Sequence, residues 1–115
     1  MPSAAPFALV AGMLAGLALG GAAQAGESGP EIDPAAAARL ENLVLQDCGS
    51  CHGLTRKGGL GSPLTREALA GQEREGIAGI ILDGIPQTAM PPWRPLMSEA
   101  EAFWIADYLL ESAEK

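Results

Sequence analysis

From residue 33 onward the apolar positions recur at helical spacing, with no alternation of strand type. Asp33-Pro34 has the form of a helix start, an N-cap followed by proline at the first helical position. Leu40, Leu43 and Val44 follow at i, i+3 and i+4 and give that helix one apolar face, predicted to run from Pro34 to Leu45. Glycines at 53, 58, 59 and 61 mark a loop ending near Pro63. Thr65 is placed to cap a short helix through Ala70. A further helix has Ile77, Ile80 and Ile81 on its inner side and Gly84 as its stop. The segment Ile85 to Leu96 holds Pro86, Pro91, Pro92 and Pro95 and cannot be regular helix. Ser98-Glu99-Ala100-Glu101 reads as a capping box that launches a last helix, with Ala102, Phe103, Ile105, Ala106, Leu109 and Leu110 in helical period. No strand and no internal repeat is visible. The prediction is an all-α, four-helix domain whose terminal helix crosses the Pro34 to Leu45 helix, since each needs the other to cover its apolar face.

Composition adds a boundary at the N-terminus. Residues 1–25 are rich in Ala, Gly and Leu, carry no charged side chain and close on Ala23-Gln24-Ala25, an A-x-A-like peptidase site. They read as a secretory signal peptide cleaved before Gly26, although Met1-Pro2-Ser3 lacks the usual basic residue. The alternative is an uncleaved membrane anchor. Residues 26–33 form a polar leader and 34–115 the folded domain. All seven basic and fourteen acidic residues lie beyond the leader peptide, for a net charge of −7. That balance argues against nucleic acid and anionic membrane surfaces as partners. A domain this small buries little apolar area of its own, so a bound apolar group is expected to complete the core.

The chemistry is concentrated in Cys48-Gly49-Ser50-Cys51-His52, which contains the only two cysteines and the only histidine of the chain. C-x-x-C-H is the attachment signature of c-type haem. The two thiols are spaced to form thioethers with the vinyl groups of one porphyrin, and the histidine offers the proximal imidazole. A zinc site would need further ligands, a thioredoxin-like dithiol would need a βαβ setting, and a plain disulfide would leave His52 unexplained. With no second histidine, the sixth iron ligand must come from elsewhere. Met1 and Met13 fall in the leader peptide, and Met97 occupies the staple position just before the Ser98 cap, which packs inward. Met90 lies in the rigid Pro86 to Pro92 segment and is the candidate ligand; its alternative is a gap-filling core side chain. His–Met ligation raises the reduction potential and suits electron transfer. Ser62-Pro63-Leu64 is the natural source of a carbonyl for the other His52 nitrogen. Trp93 is placed either to cover a haem edge or to pack. Phe103, Trp104 and Tyr108 read as packing residues, with Tyr108 on the side facing the first helix. Arg56, Lys57 and Arg94 flank these motifs as a candidate positive rim for docking, or as ordinary solvated charges.

Together these parts resemble a class I cytochrome c: the helix before the CxxCH, the glycine loop, Met90-Pro91-Pro92-Trp93 and a terminal helix containing Ile105-Ala106-Asp107-Tyr108-Leu109. Further stretches are similar to the small periplasmic cytochromes encoded with cytochrome cd nitrite reductase in denitrifying bacteria: Gln46-Asp47-Cys48, Gly58-Gly59-Leu60-Gly61, Leu64 to Leu69, Ile81-Leu82-Asp83-Gly84 and Leu96 to Leu109. The resemblance covers the chain after Pro34. It implies a periplasmic monohaem carrier with one covalent haem c, held by Cys48 and Cys51 and ligated by His52 and Met90. Its redox partner would be that nitrite reductase. It also admits a second role, assistance in maturation of the reductase's haem d, and a less favoured third, a small peroxidase-like enzyme in which Met90 leaves the iron. Two departures stand out. The family's Gly-Pro-x-Leu is replaced by Ser62 followed by Pro63, which leaves open which carbonyl His52 meets. The aromatic residue usual one turn before the first cysteine is Val44.

Overall fold

The computed structural model describes residues 31–111, so the expected signal peptide, the start of the leader and the extreme C-terminus lie outside the described residues. Helices α1 (Pro34–Leu43), α2 (Gly49–His52), α3 (Arg74–Asp83) and α4 (Glu99–Glu111) carry the fold, and no strand occurs among the described residues. The Asp33 carboxylate accepts from the Ala36 amide at 2.7 Å, with Pro34 at the first helical position, as the sequence predicts. The first helix does not stop at Leu45. A π-helical turn, Val44–Cys48, joins α1 to α2 without a break, and the Gly49 N–H donates five residues back to the Val44 carbonyl. The cysteines and His52 therefore end one unbroken helical stretch that starts at Pro34.

The short helix expected from Thr65 is a string of turns instead. Thr65 does cap, its Oγ1 accepting from the Ala68 amide at 3.1 Å, and the Leu69 amide reaches the Thr65 carbonyl at 3.0 Å. The next bonds are of the i→i−3 kind, from Ala70 to Glu67 and from Gln72 to Leu69. One helical turn in so few residues does not propagate. The segment still buries Leu69.

In α3 the inward stripe is Ile77, Ala78 and Leu82, with Ile81 half-buried beside it. Ile80, expected inside, is 42% exposed. At 100° per residue Ile80 falls on the flank of a stripe centred between residues 77 and 82, so it cannot share that face. The capping box of α4 forms as expected: the Ser98 N–H donates to Glu101 Oε1 at 3.0 Å, and the Glu101 N–H donates to Ser98 Oγ at 3.1 Å. Met97, just outside the cap, is buried.

Helix α4 buries Ala102, Ile105, Ala106 and Leu109, and its two small residues, one turn apart, let neighbouring helices approach closely. Both α1 and α3 contact it, α3 more extensively. The expected meeting of the first and last helices is thus present; it is built from aliphatic packing of Leu40 and Val44, and Arg39 pairs with Glu101. The α3–α4 seam is tied by Arg74, which donates from Nε and Nη2 to the two Asp107 oxygens, each at 2.7 Å. The pairing holds the Arg74 guanidinium above its usual pKa, the hydrogen bond to Asp107 being the main cause.

Candidate haem site

The site has two halves. The first is the end of the long helix with the glycine loop folded back over it. The Gly61 N–H donates to the Cys51 carbonyl and the Gly58 N–H to the His52 carbonyl, both at 2.8 Å, so the loop caps the helix end. His52 Nδ1 lies 2.6 Å from the Ser62 carbonyl oxygen. A carbonyl only accepts, so the proton sits on Nδ1 and the lone pair is left on Nε2. The carbonyl left open by the sequence is therefore that of Ser62, and the shifted proline does not prevent the contact. Gly61 makes the approach possible: a Cβ there would lie 2.6 Å from both Cε1 and Nδ1 of the His52 ring.

Cys48 is half-buried and Cys51 exposed. Before haem attachment, burial, with a smaller push from the Asp47 carboxylate, raises the Cys48 thiol to about 11. The Ser50 hydroxyl donates to the Asp47 carbonyl at 2.7 Å and steadies the turn between the two cysteines.

The second half is the proline-rich segment behind α3. It leaves at Gly84, doubles back, and closes on the helix end it left: the Trp93 and Arg94 amides donate to the Ile81 and Leu82 carbonyls, each at 3.0 Å. Gly84 has φ +65°, and a Cβ on it would lie 2.6 Å from the Met90 carbonyl oxygen. The Met90 backbone is fixed on both sides. Its carbonyl accepts from the Ile85 N–H at 3.2 Å, and its N–H donates to Thr88 Oγ1 at 3.3 Å; that hydroxyl in turn donates to the Ile85 carbonyl at 2.7 Å. Met90 is half-buried, and its hydrogen bonds run to Ile85 and Thr88, not to the cysteine loop. Thr88 was not singled out by sequence reasoning; a threonine two residues before the methionine was the available signal.

Large apolar side chains are left uncovered on both halves: Leu60 is 94% exposed beside Gly61, and Ile80 and Ile85 are about two-fifths exposed around Gly84. The Ser62-pinned imidazole and the two neighbouring thiols match the attachment chemistry of a covalent haem, an apolar group of the kind these uncovered side chains call for, so the residues present fit it. Cys48 and Cys51 would hold it, and it would supply a one-electron iron couple there. Trp93 is half-buried against the core. The candidate cation rim is weaker than its sequence suggests. Arg94 donates to both Asp83 oxygens, at 2.9 and 3.1 Å, and Arg56 lies over the Tyr108 ring at 5.5 Å. Tyr108 itself stacks on Trp104, with ring centroids 5.2 Å apart.

A helical frame, two neighbouring thiols and an imidazole oriented by a backbone carbonyl are the attributes of a class I haem-attachment domain. Comparison with known proteins agrees. The family model described as cytochrome C oxidase, cbb3-type, subunit III matches residues 35–109. Cytochrome c55X of Paracoccus denitrificans (strain Pd 1222) is 52% identical over 108 residues, covering 94% of this chain and 96% of that protein. The solved structure of a c-type cytochrome NirC superposes with a TM-score of 0.67 at 53% identity, over 69% of this chain and 93% of that one. A third relative, dihydro-heme d1 dehydrogenase of Pseudomonas aeruginosa, is 34% identical over 101 residues, which cover 88% of this chain but only 18% of the enzyme. The chain belongs to the c-type cytochrome family that the cbb3 subunit III model describes, and it carries that family's haem c attachment sequence at Cys48, Cys51 and His52.

Proposed function

We propose that this cytochrome is a periplasmic one-electron carrier that donates to cytochrome cd nitrite reductase and performs no catalysis of its own, with His52 and Met90 as the axial ligands of its single haem. The observation that carries this reading is the 2.6 Å bond from His52 Nδ1–H to the Ser62 carbonyl, which fixes the ring and leaves the Nε2 lone pair available to a metal. The chain's residues then act as a rigid holder: Cys48 and Cys51 anchor, Ser62 orients the imidazole, and the Ile85–Thr88 hydrogen bonds hold the Met90 backbone. A coordination sphere closed by protein on both faces changes little between oxidation states, which favours rapid transfer over ligand chemistry. The signal-peptide-like composition of residues 1–25 supports export to the periplasm; no helix among the described residues is long and apolar enough to cross a membrane.

A second reading has an observation of its own. The likeness to a segment of dihydro-heme d1 dehydrogenase favours a role in maturation of haem d, either as that enzyme's electron acceptor or in handling the tetrapyrrole. Stopped-flow mixing of the ferrous protein separates the two. Reoxidation by oxidised nitrite reductase on a millisecond scale supports the carrier. No reoxidation there, with reduction of the ferric protein by the dehydrogenase during turnover, would replace it with the maturation role. The ligand assignment is tested by Met90→Ala, which should keep haem attached, lower the potential and admit external ligands. A variant with an unchanged spectrum would return the sixth position to Met97 or to a ligand from outside the chain.

A further inference from the structure

The outer side of α4 carries a set of residues that the haem site does not use. Phe103, Trp104, Asp107, Tyr108 and Glu111 follow the helical period along one face, away from the buried Ala102, Ile105, Ala106 and Leu109. Two open grooves meet on this face, and Trp104 and Asp107 border both. The larger, about 620 Å³, is also lined by Arg74, Glu99 and Phe103, and the smaller, about 310 Å³, by Tyr108 and Glu111.

We propose that this face of α4, between Glu99 and Glu111, is a docking surface for a cationic, arginine-bearing segment of a partner protein. Its rings already take guanidinium groups from the chain itself: Arg74 lies 4.6 Å from the centre of Phe103 and Arg56 lies 5.5 Å from that of Tyr108. Trp104, the residue shared by the two grooves, has the largest π face and the strongest intrinsic attraction for a cation. Glu99 and Glu111, at opposite ends of the face, form no ion pair among the described residues, and although the Glu111 charge also acts on Arg74, the two carboxylates complement a cationic occupant. A second copy of this chain, at net charge −7, would be repelled. Tryptophan, tyrosine and arginine are also the residues that dominate interface energetics. Arg56 links the face to the haem-attachment loop, because its carbonyl accepts from the Leu64 N–H at 2.8 Å within that loop. The proposal stands independently of whether nitrite reductase is the electron acceptor.

The test uses ¹⁵N-labelled, haem-loaded full-length protein titrated with two peptides, acetyl-Arg-Gly-Arg-Gly-Arg-amide and its lysine counterpart. Saturable shifts should centre on the Trp104 indole N–H and the amides from Glu99 to Glu111. The arginine peptide should bind about threefold more tightly than the lysine one. Glu99→Lys with Glu111→Lys, both exposed, should weaken binding by about tenfold. Trp104→Leu should abolish the preference for arginine. Equal shifts with both peptides, scattered over acidic residues around the molecule, would reduce the effect to general charge attraction and overturn the proposal. Shifts centred on Cys48–Pro63 and Met90 would also overturn it, placing the cation-binding face on the haem side.

Discussion

Thr88 is a small side chain with two hydrogen-bonding tasks: it donates to the Ile85 carbonyl and accepts from the Met90 N–H. Its loop is short and includes Gln87 at φ +64°, a conformation L-residues adopt only when their surroundings hold them there. With Met90 as the iron ligand proposed above, removing the hydroxyl should release its backbone at a cost of about 1 kcal/mol, roughly fivefold in the equilibrium between bound and released methionine. Thr88→Val should therefore bind imidazole at the ferric iron about fivefold more tightly than the parent protein, by visible titration, while Thr88→Ser should restore the parent value. Equal affinity in all three would show that the prolines alone hold Met90. On the other half of the site, the imidazole direction depends on Ser62 and on the missing side chain at Gly61, two residues with no metal-binding chemistry of their own. Only Gly61's close approach to the ring explains why a glycine must stand there.

Among the elements, the first helix differs most from its simple pattern. Its π turn places one extra residue between Val44 and the cysteines, so Cys48 is turned relative to the buried Leu40–Val44 line. Such turns recur at functional sites because they re-aim side chains without ending the helix. Helix α4 offers a test through its cap. The Ser98 N–H bond, then the Arg39 side chain, hold the Glu101 carboxyl below its ordinary value of 4.5, against an opposing desolvation effect. A carboxyl with a depressed folded-state pKa contributes stability above its unfolded value, and that contribution is lost as pH falls through the folded one. Glu101→Gln keeps a neutral acceptor for the Ser98 N–H but gives up the charge. At pH 7 it should be less stable than the parent by about 1 kcal/mol, and the gap should close as the pH is lowered beneath 4.5. Urea unfolding at pH 7 and pH 3 measures both ends; a gap that persists in acid would locate the loss elsewhere.

At the scale of the whole molecule, the described residues bury eleven apolar side chains, three of them alanines, while six large ones stay exposed. A core that small does not hold a domain of this size without help. Replacing both thiols (Cys48→Ser with Cys51→Ser) should leave a chain whose far-UV helical signal is below about half that of the haem-bearing protein and which melts without a cooperative transition. A cooperative melt with full helicity would show that the polypeptide core suffices. The all-α class, the Asp33 cap, the Ser98–Glu101 box and the haem-attachment residues were all legible in the sequence, because each is encoded by residues within about one turn of one another. The segment from Thr65 to Ala70 was misread as a helix for the same reason: its cap is local, but the length needed to propagate is missing. Ile80 points outward because the packing of α3 on α4 selects one stripe among several that the spacing allowed. Tertiary structure selected Ser62 among the three carbonyls of Ser62-Pro63-Leu64 for His52, and it alone paired Arg94 with Asp83 and set Arg56 over Tyr108. Local hydrogen-bond patterns and periodicities act between near neighbours and can be read along the chain. Pairings between distant residues depend on where the folded backbone brings them, which the packing of the whole core decides.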